Sequence, residues 1–278
     1  MKGFFVILFS AMLFITSCSD DGGKSGDAAF SGDKERDLKS HNLDIKKERA
    51  GTRTPCDTLA LQEYILENYP DGTHLLEFDK TNTYNIPKPA VLYKVKKNKN
   101  YVFALIAKSK VGERYVEKKN LTGYESSFIN LDSTKLGTAF FYLTLFECNE
   151  QNGFAMLWEK EVPIHGGFNY MNYKKWKQKN IEYISLNFEY GIISGHRDFN
   201  YFFIDGIRNE PHLLETYEGI AHKRSFLSLN DDMYPDYWEY RYVDTVNYNK
   251  LIDSIPFYWD DKKQLYTTPV SKRWTRKY

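Results

Sequence analysis

Few residues in this chain have the type and spacing that chemistry needs. His196 and Asp198 form a His-x-Asp pair in a stretch that reads as a loop between two strands. An imidazole beside a carboxylate can move a proton or share a metal ion. A zinc site asks for three or four converging ligands, and His165, His212 and His222 lie scattered along the chain. The pair therefore reads first as a structural hydrogen bond. An envelope hydrolase built around His165, His196 and Asp198 is the alternative. No Gly-x-Ser-x-Gly elbow, phosphate loop or dinucleotide fingerprint is present. Carboxylates are abundant, so spacing alone does not single out a hydrolytic dyad.

Two further sets stand out. Cys56 and Cys148 suit a disulfide in an oxidising compartment, with two separate buried thiols as the alternative reading. Trp238, Tyr240 and Tyr242 alternate, which puts them on one face of a strand. Sheet core is the leading reading. The functional reading is an exposed stacking platform for a sugar or a partner, because Trp and Tyr offer rigid area with a polar tip.

The loop Ser228-Leu229-Asn230-Asp231-Asp232-Met233-Tyr234-Pro235-Asp236 resembles the calcium loop of FG-GAP and VCBS-type repeats. That resemblance implies calcium held by Asn230, Asp232 and Asp236, hard oxygens suited to the ion. Ser228 stands where the first acid would be, and Met233 stands at the glycine position. An acidic loop with no metal is the stronger reading. Residues 166–206, from Gly166-Gly167-Phe168 through Phe202-Phe203-Ile204-Asp205-Gly206, also resemble the closing strands of small secreted VCBS-like proteins. This second likeness implies a β-rich fold and no activity.

The N-terminus carries an address. Lys2 precedes a nearly unbroken apolar run over residues 4–15. It is shorter than the roughly 20 residues that span a bilayer, so it reads as a secretory signal. Ile15-Thr16-Ser17-Cys18 resembles a bacterial lipobox. The resemblance implies cleavage after residue 17 and lipid on Cys18, which would tie the protein to a membrane. Ser19-Asp20-Asp21-Gly22-Gly23 resembles the export signal of Bacteroidota surface lipoproteins. An outer-membrane lipoprotein exposed on the cell surface is expected, with a periplasm-facing one as the alternative. Asp57-Thr58-Leu59, Asp132-Ser133-Thr134, Asp244-Thr245-Val246 and Asp253-Ser254-Ile255 resemble short O-glycosylation acceptors of the same bacteria.

Three segments are expected: a signal peptide over 1–17, a flexible tether over 18–54 and a β-rich domain over 55–278. The tether reading rests on Gly, Ser and charged residues with almost no aromatics, too little to offset ordering entropy. In the whole chain 17% of residues are aromatic, with 22 Tyr and 19 Phe, enough for one sizeable core. Asp57 opens a helix that ends near Asn68. Beyond it, short strands follow one another with turn residues between them. The expected class is mainly β, with antiparallel sheets in a propeller-like or sandwich arrangement and one N-terminal helix. A formal net charge of +1 gives no basic field for nucleic acid, and Lys272, Arg273, Arg276 and Lys277 read as a solvated tail. The expected function is a non-catalytic envelope protein that binds a protein or glycan, one version being immunity against an intercellular toxin.

Overall fold

A computed structural model describes residues 32–51, 53–123, 137–149, 151, 153–189, 195–245 and 249–277. Cys18, the signal, the acidic stretch after it and Asp132-Ser133-Thr134 lie outside the described residues. None of the described helices is long and apolar enough to cross a membrane.

The fold is mainly β, in two antiparallel sheets. The first contains β1 (Thr73–Leu75), β2 (Val91–Lys96), β3 (Lys99–Ser109), β4 (Ala139–Asn149) and β5 (Gly153–Val162). β3, β4 and β5 are consecutive neighbours, while β1 and β2 share the free edge of β3 end to end. The β2–β3 hairpin turns on Lys97 and Asn98, both with positive φ (50° and 58°). Two such residues match the right-handed twist of the strands they join.

The second sheet is a nine-stranded meander. It runs through β6 (Phe168–Trp176), β7 (Ile181–Glu189), β8 (His196–Phe202), β9 (His212–Glu218) and β10 (His222–Leu227). It continues through β11 (Asp236–Asp244), β12 (Asn249–Asp260), β13 (Leu265–Thr268) and β14 (Ser271–Arg276). Strands 6 and 14 were not anticipated. β6 is thinly apolar, with the polar Asn169 at one of its buried positions and Asn172, Lys174 and Lys175 exposed between the others. β14 is the basic segment expected to be a tail; pairing with β13 orders it, and its side chains stay exposed.

Three clusters hold these parts together. Phe103, Leu105, Phe141, Leu143 and Leu145 of the first sheet share one core with Ile184, Leu186, Phe188, Phe199 and Tyr201 of the second. This inter-sheet core is continuous, and alternate residues of both sheets feed it. Behind the first sheet, helix α2 (Thr58–Asn68) lays Leu61 and Ile65 on Val102, Ala104, Ile106 and Phe146. Asp57 caps that helix by accepting from the Ala60 amide at 2.8 Å. Cys56 and Cys148 form a disulfide, which staples the start of α2 to β4. The third cluster joins Trp176, Tyr183, Phe202 and Leu214 to Tyr237, Phe257 and Tyr266, so the second sheet folds across its own face.

A second helix, α1 (Gly32–Arg49), lies inside the stretch expected to be tether, so two helices replace the one anticipated. Among the described side chains of α1 only Leu43 is buried, which is why composition hid the helix. Tertiary contacts order it. Arg36 donates to the Leu66 carbonyl at 2.9 Å and pairs with Asp71, and Lys47 pairs with Glu63.

Candidate binding surface

β11 has two faces of opposite character. Tyr237 is fully buried, stacked on Phe257 with ring centroids 4.8 Å apart. Two residues on, Glu239 pairs with Arg224 of β10. The alternate residues Trp238, Tyr240 and Tyr242 lie on the other face and remain partly exposed. None of the three belongs to the buried core, so sheet core, the leading sequence reading for them, is corrected; of the odd-numbered positions Tyr237 is buried, while Arg241 and Val243 are themselves exposed.

Register defines what surrounds the stripe. Trp238 sits opposite Ser225 and Pro256, and Tyr240 opposite Lys223 and Ser254. A bulge between Arg241 and Tyr242 then brings Tyr242 opposite Leu251. The rings of Trp238 and Tyr240 lie 6.4 Å apart and tilt 30° from each other. The result is a row of rings on a sheet face, edged by hydroxyls and one ammonium. At the end of the same hairpins, Ile220, Val243, Leu251 and Ile252 are exposed.

On the opposite side of the sheet lies a buried charge cluster that no sequence signal marked. Arg224 is 5% exposed and lies over the rings of Tyr217 and Tyr237, at 4.8 and 4.6 Å. Its guanidinium pairs with Glu239 at 3.1 Å and Glu215 at 3.4 Å. Arg197 approaches Glu215 from β8 at 2.8 Å. Four strands are thereby tied across the sheet. A cation over two rings and between two carboxylates keeps its charge although it is buried.

The calcium-loop residues are placed as hydrogen-bonding partners of their own loop. Asp236 is fully buried, and its carboxylate accepts the amides of Leu229 and Trp259 at 2.9 and 3.2 Å. Burial raises its pKa above the ordinary value, offset by those amides. Asp232 accepts the Tyr234 amide at 2.9 Å, and Asn230 accepts the Asp232 amide at 3.1 Å. The neighbouring cation is Lys179, whose ammonium donates to the Asn230 carbonyl at 3.1 Å. Among the described residues, no group of three or more His, Cys, Asp or Glu side chains could hold a metal.

The histidines are dispersed. His196 stands exposed on β8, 3.6 Å from Glu189, while Asp198 accepts from Asn187 at 2.6 Å. His165 contacts the Ala139 carbonyl. His212 is half-buried among Tyr234, Trp259 and Tyr266. The Tyr266 hydroxyl donates to the Pro235 carbonyl at 2.8 Å, so it accepts from His212 Nε2 at 2.7 Å. Burial, with Lys160 nearby, holds the pKa of His212 down at about 3. It is a neutral, half-buried histidine.

Asn169, Asn187 and Asn200 form a second buried set missed in the sequence. Asn169 donates to Asn187 at 2.9 Å, and Asn200 donates to Thr216 at 2.9 Å. Each amide satisfies a neighbouring strand, which fixes pairing across β6 to β9.

No protein-family model matches this sequence, no curated protein matches it, and no solved structure matches its fold.

Proposed function

We propose that this chain is a lipid-anchored protein of the bacterial cell envelope, held to the outer membrane through Cys18, whose β domain is a non-catalytic binding head. The ligand of that head is a glycan, and its seat is the outer face of β11. One observation carries the reading: Trp238, Tyr240 and Tyr242 leave the core together and form a row of partly exposed rings. Sugar rings stack on such a surface through their C–H faces, while Ser225, Ser254 and the tyrosine hydroxyls supply hydrogen bonds. A rigid platform loses little entropy on binding. The Arg224 cluster beneath it supplies that rigidity.

A protein partner is the second reading, favoured by the exposed apolar tip of Ile220, Val243, Leu251 and Ile252. Glycan arrays and envelope fractions separate the two. Loss of glycan retention in Trp238→Ala supports the first reading. Capture of a defined envelope protein that is lost in Leu251→Ser and Ile252→Ser, and kept in Trp238→Ala, supports the second. The anchor has its own test. Cys18→Ala should move the protein from the membrane to the soluble fraction and abolish labelling by radioactive palmitate.

A further inference from the structure

The cleft between α1, α2 and β1 has the makings of a ligand site far from the aromatic face. It encloses about 240 Å³. Its walls are two helices and a strand, and its apolar floor includes Leu43, Ile65 and Leu75, all under 9% exposed. Three ammonium-bearing side chains border it, Lys39, Lys46 and Lys118, from α1 and from the segment after β3. No Asp or Glu is among its described lining residues. Glu77 stands behind, accepting from Lys118 at 2.6 Å. His74, also in the wall, is neutral. Burial and Lys39 hold its pKa down at about 4, and its Nε2 lies 3.0 Å from the Val116 carbonyl.

Cations brought together over an apolar floor repel one another and lose solvation. Burial is the largest influence lowering the Lys118 pKa, and Lys46 and Lys39 add to it. An anion seated among the ammoniums would reverse both effects. A phosphate monoester suits this better than a carboxylate, because it carries about −1.5 to −2 charge and three acceptor oxygens. Lysine meets phosphate as a point charge, without a fixed fork geometry. The apolar floor asks for a hydrocarbon part. The volume falls below the roughly 300–1,000 Å³ of sites for drug-sized ligands, so that part must be short.

We infer that this cleft binds a small phosphate-bearing amphiphile, whose phosphate meets Lys46 and Lys118 and whose apolar part lies on Leu43, Ile65 and Leu75. Such a ligand touches α1 and the β domain at once and fastens the helix to the domain. The inference is independent of the aromatic face.

Calorimetric titration of the full chain tests it with three probes: inorganic phosphate, hexyl phosphate and dihexanoyl phosphatidic acid. Hexyl phosphate should bind saturably and more tightly than inorganic phosphate. Lys46→Glu should weaken it by about tenfold or more, the size expected for losing a charged hydrogen bond. Lys97→Glu, at the exposed β2–β3 turn, should leave binding unchanged. Stronger binding of dihexanoyl phosphatidic acid than of hexyl phosphate assigns a lipid headgroup as the source; the reverse order assigns a soluble ligand. Lys46 is exposed, and Lys46→Gln provides a milder change that keeps the helix. No saturable binding by any probe overturns the inference, and so does binding that Lys46→Glu leaves intact.

Discussion

The two ends of the β domain solve the same packing problem in different ways. The middle of the first sheet is sealed on both faces. Val102 to Ala107 of β3 are all fully buried, with the second sheet on one side and α2 on the other, and a disulfide ties the start of α2 to β4. Around Tyr237 the strands from β10 onward have one covered face and one open face. Their inner side is held by Arg224, Tyr237 and Tyr266, and their outer side displays Trp238, Tyr240 and Tyr242. Aliphatic cores are tolerant, and their energy scales with area. A buried cation between rings and carboxylates is directional, so it fixes strand geometry and thereby the platform above it. The comparison teaches that the first half is closed around its core, while the second leaves an aromatic stripe partly exposed.

Breaking the seal of the first half should have the largest effect. The Cys56–Cys148 bridge spans 92 residues of sequence. Replacing both cysteines by Ala should cost about 4–5 kcal/mol by restoring freedom to the unfolded chain. Denaturant melts read this loss directly. Arg224→Ala comes next. It leaves Glu239 without its buried cation and Glu215 with Arg197 alone, at about 3–4 kcal/mol. Arg224→Met should cost somewhat less, because its side chain refills the space against the Tyr217 and Tyr237 rings, although the carboxylates still lose their cation. A near-silent Arg224→Ala would mean that the C-terminal strands are not ordered by this cluster.

Acid sharpens the comparison, since one neutral histidine sits in each region. His74 and His212 have folded pKa values of about 4 and 3, against 6.5 when free, mainly through burial. Between those values the unfolded chain binds the proton and the folded one does not. Stability is therefore complete above about pH 6.5 and falls as pH drops toward 4 and then 3. At pH 5 each histidine should account for about 2 kcal/mol. His74→Gln and His212→Gln melts at pH 7 and pH 5 should each show a smaller acid loss than wild type.

Much of the scaffold was legible because local chemistry dictates it. Asp57 precedes its helix as a cap, and Lys97-Asn98 turns a hairpin that alternation announces on either side. The illegible parts depend on partners distant in sequence. α1 is too polar to read as a helix until Arg36 meets Leu66 and Asp71. β14 reads as a tail until β13 pairs with it. Asn230, Asp232 and Asp236 carry the right oxygens for a cation, yet those oxygens answer amides within reach. For the aromatic stripe, alternation defined the shared face but not its direction. That depended on Tyr237 and Phe257 claiming the inner side. Arg224 gave no signal, because a lone arginine in a strand looks like any surface residue.

The smallest expected change in stability belongs to the residues with the largest expected role. Trp238→Ala with Tyr240→Ala removes partly exposed rings and should shift unfolding by no more than about 1 kcal/mol. The most direct test of the central claim is glycan retention by this double variant, measured beside wild type together with thermal melts of both. The account predicts that a glycan held by wild type is lost while the melting temperature stays nearly level. Undiminished retention by the folded double variant would contradict it.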